Sequence, residues 1–305
     1  MGLAGARMLD DAFARRLPEL RARVDARLAT LLDAGATAPT PLREAVRHAL
    51  LSPGKRLRPV LALLAAEQFG DGRRGAAAAL DAGCAIEMVH AASLVLDDLP
   101  CMDDAELRRG RPTTHRRFGE DMAVLAAISL LNQAYATVAA VPGLPADARL
   151  ELVSGLTRAV GFEGLVAGQA RDLRERDAYA EATPLHELNR QKTGVLFVAA
   201  VESGAQAAGA TGARLEAARA FARDLGEAFQ ILDDLLDVTA TSESAGKDVG
   251  QDGDKPTVVS LIGPDGARAE MHRRLQAALN HLDDGGPGPL SRFAELLFGA
   301  MPEAA

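Results

Sequence analysis

The chain has 305 residues, of which 48% are apolar and 25% charged, and it carries a formal net charge of −8 at pH 7. This composition is typical of a globular protein with room for a sizeable core. The negative charge, with no basic stripe interleaved with aromatic residues, argues against nucleic acid as a partner. The two cysteines, Cys84 and Cys101, form no CxxC pair and favour a reducing compartment over a disulfide framework.

The segment 122–141 is long and apolar enough to suggest a membrane span. Asn132 and Gln133 interrupt it, however, and Asp121 stands where a helix N-cap is expected. The N-terminal segment MGLAGARMLDDAFARRL is too charged for a secretory signal. We therefore interpret 122–141 as a core helix and expect a cytoplasmic protein without a membrane span.

Apolar residues recur at helical spacing along the chain, and the alternation typical of strands is almost missing. The first helix is predicted over 9–34, and a second begins at Pro41 and ends before Pro53-Gly54. Further helices are predicted over 58–69, 74–98, 121–141, 146–173, 184–208, 212–239 and 264–283. No low-complexity linker divides the chain, so we predict one all-α domain over residues 1–305, built as a helical bundle.

Two motifs, LVLDDLPCMDD and ILDDLLD, each place aspartates at the end of an apolar helical run. Their carboxylates are Asp97, Asp98, Asp103, Asp104, Asp233, Asp234 and Asp237. One such motif alone is as readily explained by a solvated helix end. Two motifs favour a bound cation, because crowded carboxylates repel one another. Oxygen ligands without His or Cys select a hard ion such as Mg²⁺.

Basic residues stand beside Gly or Pro in several short segments, where side chains from different parts of the chain can converge. They are Lys55, Arg56, Arg58, Arg108, Arg109, Arg111, Lys192, Lys247 and Lys255. Surface ion pairs of little energetic value are the alternative explanation. Together with the carboxylates, however, they indicate a phosphate-bearing substrate, since Arg and Lys are the usual ligands of phosphate oxygens.

Five segments, taken together, resemble the trans-isoprenyl diphosphate synthases, the polyprenyl synthetase family. They are GKRLRP (54–59), EMVHAASLVLDDLPCMDDAELRRGRPTTH (87–115), KTG (192–194), FQILDDLLDV (229–238) and GKDVG (246–250), in the family's order. The four-residue spacer between Asp98 and Asp103 is typical of the bacterial and plant type, and the closest resemblance is to bacterial geranylgeranyl diphosphate synthases. The resemblance implies a bundle of the isoprenoid synthase type around a central cavity, usually a homodimer.

The resemblance also implies an activity and the residues that carry it. The protein would condense isopentenyl diphosphate with allylic diphosphates, using about three Mg²⁺ ions per active site held by Asp97, Asp103 and Asp233. The remaining aspartates of the two motifs would support these ligands. The allylic diphosphate would be bound by Arg108, Lys192, Lys247 and Lys255. The diphosphate of isopentenyl diphosphate would be bound by Lys55, Arg58, His90 and Arg109. Thr193 and Gln230 would line the reacting centre.

His90 and Lys255 differ from the other residues assigned to the site. A lone histidine on a helix is more often an ordinary core or surface residue, but His90 lies two turns before Asp97 on the same side of the predicted helix. We therefore assign it to the site. The GDKPT segment around Lys255 departs from the family, in which Gly more often directly precedes the lysine.

Product length is expected to depend on the helix below Asp97. Val89, Ala92 and Ser93 are small or modest in size, whereas family members that make fifteen-carbon products often carry an aromatic residue at the position of Ala92. This pattern predicts geranylgeranyl diphosphate as the product. In the alternative, a bulky residue from a neighbouring helix, such as Met122 or Phe162, closes the pocket and the protein is a farnesyl diphosphate synthase.

The sequence lacks features that other classes of protein would require. A class I terpene cyclase would carry Ser/Thr and then Glu at four-residue steps in its second metal motif, whereas Asp237 and Thr241 stand there. The scarcity of aromatic residues also disfavours a cyclase. A head-to-head synthase would not need GKRLRP. A catalytically silent subunit is expected to have lost one aspartate motif, and both are intact.

Overall fold

A computed structural model describes residues 3–33, 36–70, 75–175, 182–239, 256–282 and 288–299. Within these ranges the chain forms thirteen α-helices and one short hairpin, which confirms the all-α prediction. The helices are α1 (Leu3–Leu32), α2 (Thr40–Leu50), α3 (Leu57–Phe69), α4 (Ala76–Asp97), α5 (Thr114–Phe118), α6 (Glu120–Ala139), α7 (Ala146–Val160), α8 (Leu165–Arg174), α9 (Ala182–Asn189), α10 (Val195–Ala207), α11 (Gly212–Thr239), α12 (Val258–Asn280) and α13 (Pro289–Gly299).

Helix α4 lies at the centre of the bundle, where it packs against α3, α6 and α10. Its residues are Ala-rich and mostly buried all round the helix, as expected of a helix surrounded by others. Small residues also allow close packing between α3 and α10. A Cβ at Gly204 would lie 2.1 Å from the carbonyl oxygen of Ala62, so that contact between the two helices requires glycine.

In the part of the chain that the structure describes, two helices, α4 and α6, are long and apolar enough to cross a membrane by length and composition. The most apolar window of α4 is 72% buried inside the protein, whereas that of α6 is 39% buried. The apolar character of α4 is therefore explained by its place in the core. Helix α6 instead presents Val124, Leu125 and Ile128 on the protein surface.

The single helix predicted over 146–173 is wrong, because the chain forms α7 and α8 with a break between them. The break falls at Gly161 and Gly164. A Cβ at Gly164 would lie 2.1 Å from the carbonyl oxygen of Ala159, so the chain turns on a residue without a side chain. The helix predicted over 184–208 is also interrupted, by a π-helical turn over Arg190–Gly194. Such turns are rare and are frequent at functional sites.

The helix predicted over 264–283 begins six residues earlier, as α12. Thr257 caps it in a reciprocal capping box with Ser260. Gly263, at a φ of 74°, and the following Pro264 then kink the helix, which explains why the sequence pattern appeared to begin at the proline. The last helix, α13, was not predicted.

Candidate active site

The first aspartate motif closes into a compact loop at the end of α4. The amide of Asp103 donates to the carbonyl oxygen of Asp97 at 2.9 Å, and the amides of Met102 and Asp104 donate to that of Leu99 at 2.9 and 3.1 Å. These bonds fold the LPCM spacer back onto the helix end. The spacing of the motif therefore brings the two halves of the aspartate cluster to one place.

Asp97 is held in an environment that opposes its negative charge. Burial is the largest cause that raises its pKa, which reaches about 6, and the charges of Asp103 and Asp98 raise it as well, whereas Lys192 and Arg108 lower it. A carboxylate that is both buried and close to other carboxylates is stabilised by a nearby cation. Asp97 and Asp103 thus form a donor set suited to Mg²⁺.

Asp98, between these two residues in the sequence, is almost fully buried. Its Oδ1 accepts a hydrogen bond from Nε of Arg108 at 2.9 Å. Arg108 stands on a two-stranded hairpin, β1 (Leu107–Arg108) paired with β2 (Arg111–Pro112). Asp98 therefore fixes the position of one of the predicted diphosphate ligands.

The loop of this hairpin orients Arg109 toward the segment GKRLRP. Its guanidinium donates to the carbonyl oxygen of Pro53 at 3.1 Å, and a Cβ at Gly54 would lie 2.5 Å from that guanidinium. In the same region, burial and then the charges of Arg58, Arg109 and Arg108 hold the pKa of His90 well below its usual value. His90 is therefore neutral at pH 7 and surrounded by cations.

Arg58 links this region to the second aspartate motif. Its guanidinium lies over the ring of Phe197, 5.2 Å from the centroid, and its Nε is buried without a hydrogen-bond partner. Burial lowers its pKa to about 10, while the charges of Glu87 and Asp233 act in the opposite direction. A buried donor without a partner suits an anionic ligand.

Lys192 lies on the π-helical turn, and its ammonium forms an ion pair with the carboxylate of Asp172 on α8. Close packing holds the turn in place. A Cβ at Gly168 would lie 2.6 Å from the backbone nitrogen of Lys192, and a Cβ at Gly226 on α11 would lie 3.1 Å from Cα of Gly194. The turn is therefore fixed between the helix that carries Asp172 and the helix that carries the second aspartate motif.

In that second motif, Nε2 of Gln230 donates to Oδ1 of the buried Asp234 at 2.9 Å, while Asp237 is exposed. Among the described residues, no three His, Cys, Asp or Glu side chains are close enough to hold a metal ion. Mg²⁺ usually takes only one or two carboxylates from a protein and completes its coordination with water and substrate oxygens. Lys55 is exposed, and Lys247 and Lys255 lie outside the described residues.

Comparison with known proteins agrees with this geometry. The polyprenyl synthetase family model matches residues 39–284. The chain belongs to the polyprenyl synthetase family. Among its relatives, the geranylgeranyl diphosphate synthase of Pseudescherichia vulneris is 42% identical over 93% of this chain and 92% of its own length. The farnesyl diphosphate synthase of Geobacillus stearothermophilus is 39% identical over 80% of this chain and 82% of its own length.

Solved structures of similar proteins share the fold. An FPP/GFPP synthase from Zymomonas mobilis superposes with a TM-score of 0.81 and 33% identity over 94% of this chain and 99% of its own. A geranyltransferase from Legionella pneumophila gives a TM-score of 0.82 and 29% identity, over 94% and 97% of the two chains. The expected isoprenoid synthase bundle is therefore confirmed.

Asp172 and Phe197 of the candidate site were not anticipated from the sequence, and Phe229 was noted only as part of the segment FQILDDLLDV. Asp172 is buried and paired with Lys192, and the only signal for it was an acidic residue on the inner side of α8, four residues after a glycine. Phe197 lies beneath Arg58, and its ring centroid is 5.0 Å from that of Phe229. Each is a single aromatic residue within an apolar run, which a core position explains equally well.

An apolar cavity of about 240 Å³, here called the tail cavity, lies between α4, α6, α7 and α10. Its wall on α10 begins at Val195, directly after the π-helical turn, and includes Val198 and Ala199. On α4 it is lined by Ala82 and Ile86. The described lining residues include no aromatic side chain.

The residues predicted to set product length do not line the tail cavity. Val89 and Ala92 have no exposed surface, and the hydroxyl of Ser93 donates to the carbonyl oxygen of His90. Phe162, considered as a residue that could close the pocket, is 98% exposed and cannot do so in this position.

Proposed function

We propose that this protein is a Mg²⁺-dependent trans-prenyltransferase that condenses isopentenyl diphosphate with allylic diphosphates to give geranylgeranyl diphosphate. One observation carries the proposal: an apolar cavity begins three residues along the chain from Lys192, one of the cations of the site. Lys192 stands on the π-helical turn, and the tail cavity begins at Val195. The charged side chains suit diphosphates, and the cavity suits a hydrocarbon chain that grows away from them.

In this proposal Asp97, Asp103 and Asp233 hold about three Mg²⁺ ions. Bound Mg²⁺ would stabilise the negative charge that develops on the departing diphosphate. Two sets of side chains bind the substrates. The allylic diphosphate is bound by Arg108, Lys192, Lys247 and Lys255, and the diphosphate of isopentenyl diphosphate by Lys55, Arg58, His90 and Arg109.

The remaining side chains act by placement. Asp98 orients Arg108, and Asp172 orients Lys192, through the ion pairs that each forms. Thr193 and Gln230 direct oxygen dipoles toward the carbocation that forms when the allylic carbon–oxygen bond breaks. The proton lost after condensation passes to the released diphosphate, so the site needs no dedicated protein base.

The depth of the tail cavity supports a twenty-carbon product. Ile86 precedes Asp97 by eleven residues, which is about 16 Å along α4 at 1.5 Å per residue. An allylic chain could therefore extend well below the level of Ala92. Farnesyl diphosphate is the second candidate product, and the relative from Geobacillus stearothermophilus is the observation that favours it.

We further propose that the protein is a single-domain homodimer that works in the cytoplasm. Residues from α1 through α13 contribute to one hydrophobic core cluster, which supports a single domain. Val124, Leu125 and Ile128 form an exposed apolar face on α6 that a second copy would cover. The proposed location in the cytoplasm is supported by the relatives from Pseudescherichia vulneris and Pantoea ananas, which are bacterial proteins.

The test is product analysis by mass spectrometry. Purified protein is incubated with isopentenyl diphosphate and dimethylallyl, geranyl or farnesyl diphosphate, with Mg²⁺ or with a chelator. We expect geranylgeranyl diphosphate from each primer and no product after chelation. Products formed from an allylic diphosphate alone would indicate a cyclase. Absence of any condensation product, or full activity in the chelator, would contradict the proposal.

A further inference from the structure

Polar side chains line the tail cavity at the end farthest from the aspartates. On α10 the cavity wall changes from Val195, Val198 and Ala199 to Glu202 and Gln206. Gln206 lies eleven residues after Val195, about 16 Å along the helix. An apolar wall that ends in a carboxylate and an amide is an unusual floor for a cavity that holds hydrocarbon, since these groups favour water or a polar partner.

A second pocket lies on the other side of this floor. It has a volume of about 530 Å³, and Arg158 and Gln206 line it as well as the tail cavity. Arg219 of α11 lines only the second pocket of the two, together with Leu150, which is 65% exposed. The second pocket is therefore an outer space separated from the tail cavity by a few side chains.

An ion pair completes the separation. Nη2 of Arg219 lies 2.6 Å from Oε1 of Glu202, and the two side chains are 28% and 14% exposed. Arg219 is also paired with Glu216 on its own helix, which fixes the guanidinium across the gap between α10 and α11. Glu202 faces the tail cavity and Arg219 the outer pocket, so the ion pair lies between the two.

We propose that Arg158, Gln206 and the Glu202–Arg219 ion pair form a polar floor that ends chain growth at twenty carbons. This inference rests on the proposed prenyltransferase function and adds the residues that stop elongation. A further isoprene unit would have to displace the ion pair and set hydrocarbon against charged groups that have lost their partners, which is unfavourable in a partly buried site. The floor therefore acts through charge, in place of the bulky aromatic residue that the cavity lining lacks.

The experiment compares two double variants that each remove both charges, so that neither charge is left unpaired. Glu202→Met with Arg219→Met keeps much of the bulk and removes the charge, while Glu202→Ala with Arg219→Ala removes both. Asp265→Ala with Arg268→Ala is the matched control, because it removes an ion pair of 3.0 Å on α12. Each protein is assayed with isopentenyl diphosphate and geranylgeranyl diphosphate as primer, and products are measured by mass spectrometry.

Both floor variants are expected to convert geranylgeranyl diphosphate to products of twenty-five or more carbons, at least tenfold faster than wild type and the control. Elongation of geranyl diphosphate should be unchanged, which shows that the reacting site is intact. If only the Ala double variant makes longer products, or if neither double variant does, the proposal that the floor acts through charge is wrong. Gln206→Ala, a substitution that favours the helix, removes an uncharged part of the floor and leaves the ion pair in place, so it should lengthen products less than either double variant; an equal or larger effect would overturn a floor that acts through charge. If wild type makes no prenyl product at all, the proposed function fails instead.

Discussion

Filling the tail cavity from α7 should shorten the product without damaging the fold. Gly155 lines the cavity, and a Cβ placed there would meet only Nη2 of Arg158, at 4.0 Å. The position therefore accepts a side chain that projects into the space we assign to the prenyl tail. Gly155→Phe is expected to change the main product from twenty to fifteen carbons.

The size of the effect on elongation follows from the part of the hydrocarbon chain that can no longer be buried in the cavity. The last isoprene unit has five carbons, and burial of each contributes about 0.8 kcal/mol, or about 4 kcal/mol in total. Because each 1.4 kcal/mol is a factor of ten, elongation of farnesyl diphosphate should fall by up to roughly a thousandfold. Elongation of dimethylallyl diphosphate, whose chain ends above Gly155, should change little.

The assay measures kcat/KM for each allylic primer in Gly155→Phe, with Gly155→Ala as the matched control. Alanine adds one carbon and should leave the product at twenty carbons, while it stabilises α7 by about 1 kcal/mol, seen as a rise in the free energy of unfolding. A folded Gly155→Phe protein that still makes geranylgeranyl diphosphate at the wild-type rate would refute the assignment of this cavity to the prenyl tail.

Three further predictions test the reacting end of the site. Asp97→Asn should lower kcat roughly 100- to 1000-fold, as loss of one stabilising group at a developing charge typically does, and should raise the Mg²⁺ concentration needed for half-maximal rate; a variant with wild-type Mg²⁺ dependence would remove Asp97 from the metal site. Ala92 does not line the tail cavity but lies on α4 between Ile86, which does, and Asp97, so Ala92→Phe should narrow the path between them and shorten products to fifteen carbons. Because Ala92 has no exposed surface, the change should also cost about 1–3 kcal/mol of stability through overpacking; unchanged product length in a folded variant would reject a role for Ala92. His90 has a lowered pKa in the folded protein, so the unfolded chain binds a proton first as the pH falls below about 6.5. Its contribution to stability is therefore complete above that pH and decreases below it. The free energy of unfolding is measured with denaturant at pH 7.5 and 5.5, and its decrease between these pH values should be smaller in His90→Asn than in wild type. An equal decrease in the two proteins would show that His90 titrates normally.

Much of the fold could be predicted because its signals are local. Helices separated by clusters of Gly and Pro were found close to their observed bounds, as for α3 and α11. The break at Gly161 and Gly164 was missed, since single glycines are tolerated within helices and only the packing shows that these two end one. The kink at Gly263 was missed because the capping residues before it are ordinary polar residues when considered alone.

The residues of the candidate site also fall into those that the sequence predicts and those that it does not. The aspartate motifs and GKRLRP are contiguous segments, so their chemistry could be inferred from residue type and spacing. Asp172 and Lys192 are twenty residues apart, and Glu202 and Arg219 seventeen apart on different helices. Such pairs depend on how the helices cross, which periodicity does not specify. The tail cavity is likewise formed by four packed helices. The sequence therefore indicated only positions on α4, and these lie closer to Asp97 than the cavity does.

Backbone strain in the described part of the chain coincides with the candidate site. Its non-glycine residues with positive φ are Arg56, Asp104 and Arg109, all within segments assigned to metal or diphosphate binding. Each such conformation costs about 1–3 kcal/mol and persists when surrounding contacts hold it. Arg56 is held by ion pairs with Asp25 and Glu87, and Arg109 by the hairpin loop and Pro53. Because these contacts are made within the protein itself, the fold positions the cations, and binding energy need not be used to order them.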